Sequence, residues 1–357
     1  MRGKNLRLEL ENFKGIKEGS LNLESLNILI GGNNSGKTTV LESLFIAPNP
    51  LRNVFRGPAI SVLNSLHSTL GSEAYVFLFH NYTGDSARIS CSDGSKVEIR
   101  FQRAGDNIEV YMIENNDAYF IGTLEAASGG VTRGRLESVR VSEDGSLKRA
   151  GTIMDVNVAN FVSKTIGETI YFHPLLMKSI WEYFRYYWVE FRSLGLTSKI
   201  AKKISEGGAG NYDDLLLEPF IGNQQTIYVR TRDGRGIRLG DVGSGVQVLT
   251  TLMLLYEFVK PKMLLIDDIE SHMNPSLLVH ATYWFGDVLQ DGTKLIISTH
   301  SLDAAKFIAG SLEDYGPKIT LMALRNGVLS SRNLSIEEVG DLEKAGIDIR
   351  MGEWVLL

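Results

Sequence analysis

Cysteine is nearly missing from this chain. One residue, Cys91, stands in 357, so neither an internal disulfide framework nor a multi-cysteine zinc site can be built, which fits a reducing, cytoplasmic setting. Long hydrophobic runs are missing too. No apolar stretch of about 18 residues occurs, so no helix is expected to span a bilayer. A secretory signal is not expected either: Leu6, Leu8 and Leu10 alternate with Arg7, Glu9 and Glu11, a strand pattern where a signal needs an unbroken apolar segment. Positive charge is not in excess. Lys and Arg number 37 against 42 Asp and Glu, a net charge of −5, so any nucleic-acid contact would have to use a local basic face. Internal repeats and low-complexity segments are absent. What remains is 43% hydrophobic and 22% charged, soluble globular composition in a chain long enough for two domains or one large α/β domain with insertions.

Strand and helix signals alternate near both ends. Leu26 to Ile30 is an apolar run stopping at Gly31, and from Lys37 to Ala47 the residues Val40, Leu41, Leu44 and Phe45 recur at helical spacing. Between about Ala87 and Met154 come short alternating segments (Lys96 to Phe101, Ile108 to Ile113, Tyr119 to Leu124, Leu136 to Val141) split by turns such as Ser92-Asp93-Gly94, which predicts an antiparallel meander. About Val158 to Lys203 reads as helical, with Trp181, Phe184, Trp188 and Phe191 on one face. That spacing favours core or partner-helix packing over base stacking, although Arg185 and Arg192 lie beside it. Lys199, Lys202 and Lys203, like Arg133, Arg135 and Arg140, read as solvated charge.

After a Gly207-Gly208-Ala209-Gly210 linker, an Asp233-Gly234 turn joins Thr226 to Thr231 with Gly236 to Leu239. An apolar helix from Val246 to Val259 precedes the buried strand Met263 to Ile266, which ends in Asp267-Asp268. Asn274-Pro275 opens a further helix that stops near Gly292, Lys294 to Ser298 is a second buried strand, and Ser301 caps the helix after it. Ile319 to Leu324 and Ile336 to Lys344 complete the pattern as a strand and a short helix. The expected organisation is an N-terminal lobe (1–85), an antiparallel β subdomain (86–157), a helical insertion (158–210) and a C-terminal lobe (211–357). The fold class is α/β, a mostly parallel core sheet with a β meander and a helical insertion.

Gly31-Gly32-Asn33-Asn34-Ser35-Gly36-Lys37-Thr38 fits G-x-x-x-x-G-K-[ST] at every fixed position, after a strand and before a helix. Glycines let backbone N–H groups turn inward on phosphates, and the positive end of the following helix favours the same anion. Asn33, Asn34, Ser35, Gly36, Lys37, Thr38 and Thr39 are therefore candidate ATP ligands, with Lys37 on the β and γ phosphates and the Thr38 hydroxyl on Mg²⁺. Asp267 closes an apolar strand, the place from which a carboxylate reaches the Mg²⁺ shell at the same sheet edge. A surface carboxylate ending a strand is the competing reading, and the P-loop weighs against it.

Further along come Gly243-Ser244-Gly245-Val246-Gln247 at the start of an apolar helix, then the Asp267 strand, then His300 after a strand in Ser298-Thr299-His300-Ser301. This order resembles the ABC-type ATPases, in the soluble branch that includes SMC proteins, RecF and the OLD-family ATPases. Asn33-Asn34-Ser35, Glu11-Asn12-Phe13-Lys14 and the run from Asp267 to Pro275 are similar to that branch, and the resemblance covers about Met1 to Thr39 and Leu239 to Ala304.

The resemblance implies a P-loop NTPase fold of ABC-ATPase type. It also implies an ATP-dependent homodimer in which Ser244 and Gly245 present a helix N-terminus to the γ-phosphate held by the other subunit. His300 would sense that phosphate. Asp268 stands where the family usually has a glutamate that positions the attacking water. It is one methylene shorter, and placements of about 1 Å matter in that step, so hydrolysis is expected to be slow or to use Glu270 instead. Asp268, Glu270 and His300 are thus the candidate catalytic groups. The glutamine that commonly joins the lobes is not evident, and His80 is a guess for its place.

The resemblance implies an ATP-driven switch in DNA maintenance or defence, with a second protein as effector or nuclease and DNA as a candidate ligand. The alternatives are an ATP-binding scaffold whose occupancy controls a partner and, more remotely, a transporter motor. The Asn33-Asn34 P-loop and the meander speak against the motor. OLD-family nucleases append a Toprim domain, for which 301–357 is too short, so cutting would fall to another chain.

Overall fold

The computed structural model describes residues 5–208 and 210–349. The N-terminal alternation makes a hairpin: β1 (Leu6–Phe13) buries Leu6, Leu8 and Leu10 and pairs antiparallel with β2 (Ile16–Leu23). β3 (Leu26–Ile30), buried at every position, delivers the chain to the P-loop and α1 (Lys37–Ile46). A ribbon of β4 (Asn53–Val54) and β5 (Gly57–Pro58) and the helix α2 (Ala59–His67) follow.

The meander has six strands, each antiparallel to the next: β6 (Ser86–Ser92), β7 (Lys96–Ala104), β8 (Asn107–Glu114), β9 (Asp117–Glu125), β10 (Val131–Val141) and β11 (Leu147–Asn157). It continues the main sheet, because β6 pairs with β1.

The chain then re-enters the core as β12 (Thr169–Phe172) before α3 (Met177–Tyr186), α4 (Trp188–Ser193) and α5 (Leu196–Glu206). Here the structure corrects the helical reading of 158–203. Thr169 to Phe172 is a β-branched and aromatic run. Gly167 at φ 73 interrupts helical backbone before it, and Pro174 disfavours helix at His173 after it. The aromatic stripe does pack inward. Phe184 and Phe191 are buried edge to face at 5.1 Å, across a break at Tyr187 that splits the stripe between α3 and α4. The expected glycine linker follows α5, with Ala209 outside the described residues. β13 (Tyr212–Pro219), β14 (Gln225–Thr231) and β15 (Gly236–Arg238) form a separate three-stranded sheet that packs on α5.

The last third supplies α6 (Ser244–Val259), β16 (Met263–Ile266), α7 (Pro275–Gln290), β17 (Lys294–Ser298), α8 (Leu302–Ser311), β18 (Lys318–Arg325), β19 (Val328–Leu334) and α9 (Ile336–Lys344). The resulting sheet has 14 strands in the order β11-β10-β9-β8-β7-β6-β1-β2-β19-β18-β3-β17-β16-β12. β12, β16, β17, β3 and β18 run parallel to one another. Their central strands are rich in Leu and Ile because helices cover them: α1 packs on β12, β16 and β17, and α8 on β3 and β18. β19, which carried no clear signal in the sequence, pairs antiparallel with β18 and parallel with β2, joining the parallel half to the meander half. Among the described residues no helix is long and apolar enough to cross a membrane.

Candidate nucleotide site

The P-loop backbone explains its glycines. Gly31 lies at φ 155, and a Cβ there would run into the Met322 carbonyl and sit 2.7 Å from the Ser35 hydroxyl. Gly36 at φ 92 starts α1 in a left-handed conformation, and Asn34 at φ 61 takes one that asparagine tolerates better than most residues. The Lys37 ammonium donates to the carbonyls of Gly31 and Gly32, 3.1 Å each, so the lysine lies folded over its own loop. Ser35 and Lys37 are buried, Thr39 is half-buried, and Asn33, Asn34 and Thr38 are exposed. The first turn of α1 holds no acidic side chain, which leaves its positive end open to an anion.

Asp267 follows β16 and is 2% exposed. Its two carboxylate oxygens accept from two hydroxyls on the flanking strands: Oδ1 from Ser298 of β17, and Oδ2 from Tyr171 of β12 at 2.9 Å. Among the described residues no cation lies within ion-pair distance of it. Asp268 has φ 49 and ψ 57; its N–H donates to the Ser298 hydroxyl at 3.0 Å, and its carboxylate lies 3.6 Å from His300 Nε2. Burial raises the Asp268 carboxyl above the usual range and the adjacent Asp267 adds to this, while His300 and Lys37 oppose it. Glu270 accepts the His300 backbone N–H at 2.6 Å through Oε1, and its Oε2 is buried without a hydrogen-bond partner.

Ser244 and Gly245 stand apart from this cluster. They open α6, where Ser244 is exposed and the N-cap, Gly243, provides no side-chain cap. The Gln247 side chain folds the preceding loop back by donating to the Gly240 and Val242 carbonyls at 3.2 and 2.8 Å. Among the described residues no hydrogen bond or ion pair ties Ser244 or Gly245 to the P-loop, Asp267 or His300. One copy therefore brings Asp267, Asp268, Glu270 and His300 together near Lys37 and leaves Ser244 at the α6 start exposed.

Two family models match the chain. The AAA ATPase domain family covers residues 6–119, and the AAA domain family labelled for AbiEii-type toxins of type IV TA systems covers 190–304. No curated protein matches by sequence. Among solved structures, the Smc head domain of Pyrococcus furiosus, with an extended coiled coil and bound to the C-terminal domain of ScpA, aligns at TM-score 0.52 and 15% identity over 97% of this chain and 99% of that one. An SmcHead bound to the C-winged helix domain of ScpA gives 0.51 at 15% identity over 93% and 98%. At such identity the likeness speaks for the fold. The chain thus matches AAA family models over 6–119 and 190–304 and shares the fold of SMC head domains.

The two family matches divide the chain at its motifs. The first spans the P-loop, and the second spans Ser244, Asp267 and His300. Between them lies β12, and with it the residue that sequence reasoning missed, Tyr171. Its signal was the Thr169 to Phe172 run closed by His173-Pro174, hidden among helical text. Ser298 had been read only as strand.

Also unforeseen is a charged cluster around the buried Glu42 of α1. Lys14 on the β1–β2 turn donates to Glu42 of α1, and His67 lies 2.7 Å from Glu42 and 2.8 Å from Lys14. Burial lowers the Lys14 ammonium; burial works to raise the Glu42 carboxyl, but Lys14 and His67 outweigh it and hold it low. A cavity of about 490 Å³ opens beside them, lined by Asn64, Phe77 and Tyr82 among others.

His80, guessed as the residue joining the lobes, lies 3.3 Å from the Lys14 carbonyl. His173, directly after β12, accepts the Leu175 N–H at 3.1 Å. Half of the basic residues in these clusters are ion-paired: Lys199 with Glu257 at 2.7 Å, Lys203 with Asp287, and Arg135 with Asp155 at 3.5 Å.

Proposed function

We propose that this ATPase binds Mg²⁺-ATP in the P-loop as half of a composite site, which the α6 start of a second copy completes head to tail, making an ATP-driven dimeric switch. The observation that carries this reading is the separation just described: a gathered P-loop cluster, and an exposed, uncapped helix start joined to none of it. A helix N-terminus left open in this way suits a γ-phosphate presented from outside.

The residues fit the cofactor. Among the described residues the buried Asp267 carboxylate is held by neutral hydroxyls alone, and Thr38 sits exposed at the start of α1. These two would hold Mg²⁺, which when bound neutralises charge on the β and γ phosphate oxygens. Lys37 exchanges the Gly31 and Gly32 carbonyls for phosphate oxygens in charge-assisted bonds. Asp268, with its carboxyl raised above the usual range by burial and Asp267, orients the attacking water and accepts its proton. His300, 3.6 Å away, faces Asp268. Glu270 is engaged by the His300 N–H and serves the position of that loop. The short Asp268 side chain makes turnover slow.

A second reading, an ATP-binding scaffold that controls a partner by occupancy, is favoured by that same short side chain. The AbiEii-type label and the ScpA-bound relatives support a cytoplasmic role in defence or DNA maintenance with a second protein, and DNA as a candidate ligand.

Nucleotide binding and single-turnover hydrolysis in wild type, Lys37→Ala, Asp268→Asn and Glu270→Gln test both readings. Lys37→Ala weakens ATP binding by roughly 10- to 100-fold, the value of about 1.5–3 kcal/mol for hydrogen bonds to a charged group. Asp268→Asn keeps binding and loses turnover, and Glu270→Gln slows it less. Wild type that binds ATP without turning it over supports the scaffold, and binding unchanged in Lys37→Ala contradicts the site itself.

A further inference from the structure

Each strand beside β16 sends one hydroxyl to Asp267. Tyr171 is wholly buried in β12, and the only hydrogen bond of its hydroxyl among the described residues goes to Asp267 Oδ2 at 2.9 Å. Its ring packs on Phe45 of α1 at 5.7 Å, a contact that phenylalanine would make equally well. Ser298 donates to Oδ1 and accepts the Asp268 N–H.

A carboxylate torsion is soft and nearly two-fold. Two donors on opposite strands lock it, and they leave the other lone pairs of both oxygens for a metal. We propose that Tyr171, with Ser298, is a positioning residue that fixes the Asp267 carboxylate for the divalent ion accompanying ATP. This inference rests on the reading of Asp267 as the Mg²⁺ carboxylate. β12 is itself held in place: the buried Arg52 donates to the Thr169 carbonyl at 2.8 Å and pairs with Glu168 at 3.1 Å. Partners that orient a metal ligand in this way are typically worth about 10- to 100-fold in metal affinity.

The test is the Mg²⁺ dependence of binding of a fluorescent ATP analogue, without hydrolysis, in wild type, Tyr171→Phe, Ser298→Ala and Ser298→Thr, with Lys37→Ala as reference. Tyr171→Phe requires about 10- to 100-fold more Mg²⁺ for half-maximal binding, while its affinity in excess chelator and its unfolding midpoint without nucleotide stay close to wild type. A purely structural hydroxyl would move the unfolding midpoint and leave the Mg²⁺ requirement alone. An unchanged Mg²⁺ requirement, with wild type binding and Lys37→Ala not, overturns the inference and leaves the nucleotide reading standing. Wild type that binds no ATP overturns both. Should Tyr171→Phe not fold, the serine pair decides: a raised requirement in Ser298→Ala restored by Ser298→Thr supports the positioning role, and wild-type values in both overturn it.

Discussion

Asp268 shows how the site sets function against stability. It takes a left-handed conformation at φ 49 beside Asp267, and burial and that neighbour raise its carboxyl above the ordinary range. A carboxyl raised in the folded state costs stability once pH exceeds its unfolded value; the cost is complete above the folded value and vanishes below the usual aspartate range. Asp268→Asn removes the charge and keeps a residue suited to left-handed backbone. It is expected to raise the unfolding midpoint of the nucleotide-free protein at neutral pH, with the gain fading as pH falls through the acid range; scanning fluorimetry at several pH values checks this. Lys37, Thr38 and Asp267 were legible in the sequence because P-loop chemistry is written in adjacent residues and in one strand end. Tyr171 was not, because its partner lies 96 residues away and only the sheet brings them together.

Among the elements, β12 links the insertion to the nucleotide site. Its neighbour Arg52 is fully buried, lies over the Phe45 ring at 5.0 Å, and bonds Glu168, Thr169 and the Asn49 carbonyl. Arg52→Ala leaves those acceptors without their donor and is expected to cost about 3–5 kcal/mol, the usual loss on breaking a buried pair, read as a lower urea midpoint at similar slope. A midpoint equal to wild type would mean that β12 is held by its strand pairing with β16 alone. β3, β16 and β17 were legible because a strand covered on both faces is a mostly apolar run. β12 is only four residues of that kind between helices, and its one local mark was His173 before Pro174. β19 was missed for another reason: Ser330, Ser331 and Asn333 interrupt its apolar pattern, and its pairing with β18 and β2 settles it.

For the whole molecule, the meander was legible and its attachment was not, since antiparallel pairing of β6 with β1 depends on contacts far apart in sequence. The same holds for the composite site. The order of motifs suggested a second copy, and the geometry supports it by leaving Ser244 exposed and outside the P-loop cluster. The most direct test is molar mass by light scattering with ATP and Mg²⁺, using Asp268→Asn in every chain to suppress turnover. The account predicts that this protein doubles its mass only with nucleotide. Adding Lys37→Ala or Ser244→Arg keeps it monomeric, and an equal mixture of those two chains regains dimer, because one intact site can form between them. A protein that binds ATP and keeps monomer mass at every concentration would contradict the account.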